Sequence, residues 1–123
     1  MADPGTLGKR LDKLVTDLAG AVAACVIDVE SGMPLATSTE QGDFDCEAAA
    51  AHSALLLQCQ KRMQSAMDAR GGLREMVLTL TEQILVLKPL TPGVALFVAA
   101  DSNETNLAMV RFAISHWAPR LAS

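Results

Sequence analysis

The pattern of apolar and polar residues is clearest between residues 84 and 101, "ILVLKPLTPGVALFVAAD". Two apolar runs lie there on either side of Lys88 and a Pro-Leu-Thr-Pro-Gly segment. A helix that spans a bilayer needs about 20 mostly apolar residues, whereas this stretch has a charge, two prolines and a glycine in its middle. The pattern therefore argues against a membrane span and predicts two adjacent strands joined by a turn.

Two predicted strands are apolar at every position. Neither Val94–Ala100 nor Ala21–Ile27 contains a polar residue, if Cys25 is counted as apolar. Successive side chains of a strand point to opposite faces of the sheet, so a face in water would require a polar residue at every second position. Because both faces are apolar here, we expect helices on both sides of the sheet, in three layers.

The N-terminal third of the chain predicts a helix and a hairpin. One helical stripe is formed by Leu7, Leu11, Leu14 and Leu18. Thr6 is the predicted N-cap of this helix, and Gly20 its end. The strand Ala21–Ile27 then leads through a turn at Glu30–Gly32 to a shorter strand near Pro34–Ser38.

The longest predicted helix runs from Cys46 to about Arg70, a stretch without glycine or proline. Asp43 or Asp45 is its expected N-cap, and Gly71-Gly72 is expected to end it as a left-handed cap. At 100 degrees per residue, one broad and mostly apolar face collects Ala48, Ala51, His52, Leu55, Leu56, Cys59, Met63 and Ala66. Polar residues dominate the opposite side, and the helix is expected to be the single crossover between two groups of strands.

The remaining elements complete the predicted order. The segment "LREMVLTLT" alternates and has one half-polar face, which favours an edge strand or a strand that pairs with a partner. After the two strands described first, a last helix is expected from near Ser102 or Asn103, with an apolar stripe ending at Leu121. The chain is therefore predicted to be one α/β (α+β) domain over residues 1–123, a three-layer sandwich in the order αββαβββα with a five-stranded antiparallel sheet.

Composition narrows the class of protein. The formal net charge is −4, aromatic residues make up 3% of the chain, and there is no tyrosine, so the stacking surfaces and basic stripes of nucleic-acid-binding proteins are missing. The cysteines Cys25, Cys46 and Cys59 lie in apolar surroundings without CxxC spacing. Their odd number and setting predict reduced thiols and a cytoplasmic location.

The sequence offers no recognisable catalytic group. It contains neither GxxxxGK[ST] nor GxGxxG, so it carries no nucleotide-binding loop of its own. His52 and Cys59 share a helix with Cys46, but Cys46 points in a different direction, which argues against a zinc site. Carboxylates near residue 45 are explained by helix capping. We therefore predict a non-enzymatic binding module with no catalytic residue, no cofactor and no metal.

Several segments resemble the Roadblock/dynein light chain family from about Leu11 to Leu121. They are "VIDVESGMPLATS", "AAAAHSALL" and "LVLKPLTPGVALFVAADSNETNLAMVRFAI", in which Asn106-Leu107 follows Ala-Asp as the start of the final helix. The resemblance implies a five-stranded sheet between helices and dimers that pair through the long helix and the neighbouring edge strand. It also implies, for bacterial members, work with a small Ras-like GTPase, and for eukaryotic relatives, attachment to dynein or to GTPase-anchoring complexes.

A dimer is also expected from the residues themselves. Ala50 and Leu57 point away from the broad apolar face of the long helix, so we expect a monomer to expose them and a second copy to cover them. Small alanines would let a sister helix approach closely. We predict a symmetric homodimer, with a heterodimer with a related chain as the open alternative. The predicted interface residues are Ala50, Ala54, Leu57 and Lys61 on the long helix, with Met76 and Leu78 on the adjacent strand.

Three hypotheses of function follow. The leading one is a non-enzymatic dimeric regulator or scaffold that binds a small Ras-like GTPase, with stimulation of GTP hydrolysis as one mode of action. The alternative is a structural adaptor of a motor or signalling complex, whose partner is not nucleotide-dependent. A third, enzymatic hypothesis requires a small-molecule pocket between the sheet and a helix, in which His52 and Cys59 would be the residues to test.

Overall fold

A computed structural model describes residues 1–123, and its order of elements is the predicted one. The elements are α1 (Pro4–Asp17), β1 (Ala21–Asp28), β2 (Pro34–Thr39), α2 (Cys46–Ala66), β3 (Met76–Thr79), β4 (Gln83–Thr91), β5 (Val94–Asp101) and α3 (Leu107–Ala122). The five strands form one antiparallel sheet in the order β2-β1-β5-β4-β3. This confirms the predicted fold. No helix combines the length and the apolar character that crossing a bilayer requires.

The sheet separates two hydrophobic clusters, which explains the strands that are apolar at every position. On one face, α1 and α3 cover the larger cluster, to which Ala24 and Val26 of β1 belong. On the other face, α2 covers the smaller cluster, which includes Cys25 and Ile27 of the same strand. Central strands β1 and β5 are thus buried on both sides, as their sequences predicted.

Sheet edges are formed by β2 and β3, so the prediction of an edge strand near residue 76 is confirmed. The backbone N–H of Leu80 donates to the carbonyl of Gln83 across the β3–β4 pair. Hydrogen-bonded positions alternate along an antiparallel pair, so Leu78 and Met76 also direct their backbone groups toward β4. The intervening residues, Val77 and Thr79, direct theirs away from the sheet.

Two predicted boundaries at the chain's helices are wrong. The N-cap of α1 is Asp3, not Thr6, because Pro4 opens the helix and the Asp3 carboxylate accepts the Thr6 backbone N–H at 2.9 Å. That hydrogen bond lowers the pKa of Asp3. The helix α2 ends at Ala66, four residues before Arg70, and its left-handed terminal residue is Asp68 (φ 53°) instead of a glycine of the Gly71-Gly72 pair.

The structure also decides where α2 and α3 begin, for which the sequence left more than one residue open. Asp45, not Asp43, caps α2 by accepting the Ala48 backbone N–H at 3.0 Å. The helix α3 begins at Leu107 with Asn106 as its N-cap, as the family resemblance indicates, and not near Ser102. The segment before Asn106 forms turns closed by hydrogen bonds to Asp101.

Candidate protein interaction site

The face that α2 turns toward the sheet is made of small residues and one leucine. Ala50 is fully buried, Ala54 is 2% exposed and Leu57 is 7% exposed. The expectation that a monomer exposes Ala50 and Leu57 is therefore wrong: the chain's own sheet covers them. The helix packs closely on the β1–β2 turn, where a Cβ atom added to Gly32 would lie 3.4 Å from the Ala51 Cα. Small residues on this side of α2 allow such close packing.

The broad apolar face of α2 points outward instead. Leu55 is 59% exposed, Leu56 40% and Met63 55%. We define the α2 stripe as His52, Leu56, Cys59 and Met63, which recur at i, i+4, i+7 and i+11 and include no aspartate, glutamate, lysine or arginine. A helix that is apolar on both sides is normally covered on both sides, so the α2 stripe is an exposed apolar surface of the kind that marks protein interaction sites.

A cleft of about 350 Å³ lies between α2 and the strands β3 and β4. His52 and Leu56 of the α2 stripe form one wall, and Met76 and Leu78 of β3 line the opposite side. Leu85, Leu87 and the ring of Phe97 complete the apolar lining, and Phe97 is packed against Phe44 with ring centroids 6.0 Å apart. The cleft, the α2 stripe and the open edge of β3 thus form one continuous, mostly apolar surface.

Comparison with known proteins gives the family of this chain and solved structures with the same fold. The Roadblock/LC7 domain family matches residues 7–100, more than half of the chain. The chain belongs to the Roadblock/LC7 family. No curated protein matches it significantly by sequence. Among solved structures, MglB from Myxococcus xanthus has a TM-score of 0.87 at 16% identity, and the match covers 99% of this chain and 89% of that one.

Two further solved structures share the fold of this Roadblock/LC7 protein. The gliding protein MglB from Thermus thermophilus has a TM-score of 0.83 at 17% identity, over 99% of this chain and 90% of that one. The Roadblock/LC7 domain from Streptomyces avermitilis has the same TM-score and identity, over 98% of this chain and 95% of that one. At these identities the similarity shows a shared fold.

The Roadblock/LC7 fold places the six predicted interface residues in three different surroundings. Met76 and Leu78 line the cleft beside the α2 stripe. Ala50, Ala54 and Leu57 lie beneath α2 in the chain's own core. Lys61 is exposed on another side of the helix, where it lines a separate cleft of about 720 Å³ with Gln64 and the β4–β5 turn.

Sequence reasoning identified the residues of the α2 stripe as apolar but did not place them on the exposed side of the helix. The periodicity shows that both sides of α2 are apolar, but not which side meets the sheet. One signal was available in the sizes of the side chains. The side of α2 that carries Ala50, Ala54 and Leu57 has the smaller residues. A sheet whose strands are rich in alanine and valine accepts a helix at short distance only through small side chains, so this is the side expected to meet the sheet.

The thiols of Cys25 and Cys46 in this Roadblock/LC7 protein are not activated by their surroundings. Burial raises the pKa of Cys25 to about 12, with the nearby Cys46 as a smaller cause. The pKa of Cys46 is also raised, by burial first and by the Asp45 carboxylate second. A nucleophilic cysteine needs a lowered pKa. No three His, Cys, Asp or Glu side chains are close enough together to hold a metal ion.

Proposed function

We propose that this Roadblock/LC7 protein is a non-enzymatic regulator that forms a symmetric dimer and binds a small Ras-like GTPase on the platform made by its paired α2 helices. The observation that carries the proposal is the continuous apolar surface of the α2 stripe, the cleft and the open β3 edge. An exposed apolar surface that lies along one edge of the sheet is suited to an interface between identical chains.

The geometry of β3 supports pairing between copies. Val77 and Thr79 present unpaired backbone groups outward, so two β3 strands related by a twofold axis would form an antiparallel pair and extend the sheet across both subunits. Met76 and Leu78 face the same side of the sheet as α2. The α2 stripes of the two copies would then meet above the joined strands and close both clefts.

A GTPase partner is supported by family membership and by what the chain itself lacks. Bacterial proteins that the sequence resembles work with small Ras-like GTPases, and this chain has no phosphate-binding loop with which to bind a nucleotide itself. Regulation in this arrangement acts through differential binding: a platform that binds one nucleotide state of the GTPase more tightly shifts its partner toward that state.

The dimer is tested with a matched pair of leucine substitutions. Leu56→Lys places a charge in the cleft, whereas Leu55→Lys places the same charge at an exposed position of α2 that does not line the cleft. We expect sedimentation of micromolar protein to give a dimer for the unaltered chain and for Leu55→Lys, and a monomer for Leu56→Lys. A monomeric mass for the unaltered chain would refute the proposed pairing.

The GTPase is tested with Ras-like GTPases encoded near this chain's own reading frame. Each is loaded with GDP or with a non-hydrolysable GTP analogue, and its affinity for the chain is measured by calorimetry, followed by single-turnover GTP hydrolysis with and without the chain. A regulator binds the two states with different affinity. Equal affinity for both states, with hydrolysis unchanged, would instead support the structural adaptor.

A further inference from the structure

The centre of the outer face of α3 is unusual because it carries no aspartate, glutamate, lysine or arginine, although His116 is exposed beside it. Ala108, Phe112, Ser115 and Pro119 follow one another at i, i+4, i+7 and i+11, and all four are exposed. Phe112 is 71% exposed, the largest value among the exposed large apolar residues, and Met109 beside it is 51% exposed. Helices that face water normally place charged residues at these positions. We call these residues, with Met109, the α3 ridge.

The neighbouring helix α1 shows that a lack of charged residues along the outer face is not a general property of the helices on this side of the sheet. It covers the same face of the sheet as α3, and its outward positions carry Lys9, Asp12, Lys13 and Thr16, all exposed. Such a mixture of both signs of charge is typical of a helix in water. The exposed charges of α3, Arg111 and Arg120, flank its outer face instead of lying along the centre of it.

Positive groups lie in the furrow between α3 and α1. The Arg10 guanidinium donates to the Arg120 backbone carbonyl. The Arg120 guanidinium lies over the Trp117 ring, 5.6 Å from its centroid, and this places it beside the furrow too. Lys13 is one helical turn from Arg10 on the same side of α1. One carboxylate, Asp17, is also there, bonded to the Trp117 indole. Arg10 and Arg120 therefore lie beside the furrow with one carboxylate, Asp17, and Lys13 is exposed on the solvent side of Arg10.

Two nearby carboxylates, Asp12 and Glu75, are bonded to groups away from the furrow, and Glu104 lies beside Gly20, before the start of α3. Asp12 accepts a hydrogen bond of 2.6 Å from Ser38 Oγ, on the β2 side of α1. Glu75 accepts one of 2.7 Å from Arg111 Nε on the far side of α3, toward β3. Along the furrow itself, the two arginines Arg10 and Arg120 outnumber the one carboxylate, Asp17, in a chain whose formal net charge is −4.

We propose that the α3 ridge and its positive furrow are a docking site for an acidic amphipathic helix of a partner protein. Phe112 stands between the small residues Ala108 and Ser115, so a partner helix can pack its own side chains into the spaces on either side of the ring. Its apolar stripe covers Met109 and Phe112, and its carboxylates face Lys13 and Arg120.

Charge and shape favour an acidic helix over two other occupants of the α3 ridge, a second copy of the chain and an anionic membrane. A second copy of the chain is unsuitable, because α3 contains Arg111 and Arg120 and no acidic residue, so paired α3 helices would bring like charges together. An anionic membrane is also a poorer fit, because only two large apolar side chains project from the ridge and Asp12 and Asp17 lie on the same layer. The site lies on the opposite face of the sheet from α2, so it does not depend on the proposed dimer or GTPase.

The test begins by selecting, from a phage-displayed library of helical peptides, those that bind the 123-residue chain. The best binder is synthesised, and its affinity is measured for the unaltered chain and for Phe112→Ser, Lys13→Glu and the charge control Arg62→Glu on α2. We expect acidic amphipathic peptides, a loss of at least about tenfold in affinity for Phe112→Ser and a several-fold loss for Lys13→Glu. Arg62→Glu should leave the affinity unchanged, and added salt should weaken binding.

Several results would overturn the proposal. They are an empty selection, selected peptides that are neutral or basic, and binding that survives both Phe112→Ser and Lys13→Glu. A parallel sedimentation assay uses vesicles of phosphatidylglycerol and phosphatidylcholine. If the chain sediments with the anionic vesicles and Phe112→Ser abolishes this, the ridge belongs to a lipid surface instead. Both substituted side chains are exposed, and circular dichroism verifies that each variant is folded.

Discussion

The indole Nε1 of Trp117 donates a hydrogen bond of 3.1 Å to Oδ2 of Asp17, which joins α3 to α1 across 100 residues of sequence. The two helices form the layer that covers the larger core cluster, and the chain ends meet there too, where the Ala2 N–H donates to the Ser123 carbonyl at 3.1 Å. The layer is therefore held by polar contacts between the two ends of the chain as well as by apolar packing.

Removing the acceptor of this contact should destabilise the fold. Asp17→Ala leaves the indole N–H of the buried Trp117 without its partner, so we expect the free energy of unfolding to fall by about 1 to 2 kcal/mol. Urea denaturation followed by Trp117 fluorescence, the only tryptophan, measures the change. Asp17→Asn keeps an acceptor oxygen and should lose less than Asp17→Ala. Equal losses in the two variants would show that the hydrogen bond is not the cause.

The orientation of α2 is tested by truncating two leucines of the same helix. Leu57 is 7% exposed and packs on the sheet, whereas Leu55 is 59% exposed. Leu57→Ala should lower the free energy of unfolding by about 2 to 4 kcal/mol, because it leaves a cavity in the core. Leu55→Ala should change it by less than about 0.5 kcal/mol. Chemical denaturation of both variants checks this, and the reverse ranking would mean that α2 is turned the other way.

Two glycines with the same backbone φ differ in what surrounds them. At Gly20 (φ +82°), a Cβ would lie 3.0 Å from the Glu104 Cβ and 3.3 Å from the Asp101 carbonyl oxygen. At Gly93, also φ +82°, nothing lies within 4 Å. Gly93→Ala should cost about 1 kcal/mol from the left-handed backbone alone, and Gly20→Ala should cost more, because the turn between β5 and α3 must also move. Thermal unfolding of the two variants gives the comparison, and similar shifts would contradict the crowding at Gly20.

Much of the fold could be predicted from the sequence because its strands are apolar on both sides. The runs Ala21–Ile27 and Val94–Ala100 require helices above and below them, and short connections then allow only antiparallel pairs. The helix ends were harder, because they depend on single side chains: Pro4 and the Asp3 carboxylate decide the start of α1, and Asp68 decides the end of α2.

The candidate site was only half predictable. Met76 and Leu78 could be placed beside the long helix because a half-polar strand indicates an edge. The side of α2 that meets the sheet could not be read from its periodicity, since Leu55 and Leu57 are equally apolar and differ only in what the folded chain places against them. The choice is made by packing distance, to which Ala50 and Ala54 contribute through their small size.

Stability at high pH should depend on the buried thiol of Cys25. Its pKa is raised by burial from the ordinary 9.0 to about 12. Below pH 9 the thiol is protonated in both the folded and the unfolded chain. Between pH 9 and about 12 the unfolded chain releases the proton while the folded chain keeps it, so the free energy of unfolding should fall by about 1.4 kcal/mol for each pH unit from this group.

The contribution of Cys25 is isolated by comparison with Cys25→Ala. All other ionisable groups are present in both proteins, so their effects cancel in the difference, apart from the smaller influence of Cys46 on Cys25. Urea denaturation from about pH 8 to about pH 11 should show the free energy of unfolding falling more steeply for the unaltered chain than for Cys25→Ala. Cys25→Ala should be the less stable protein at the lowest pH because of its smaller side chain, and the gap should narrow as pH rises. Parallel curves would mean that Cys25 reaches water in the folded state.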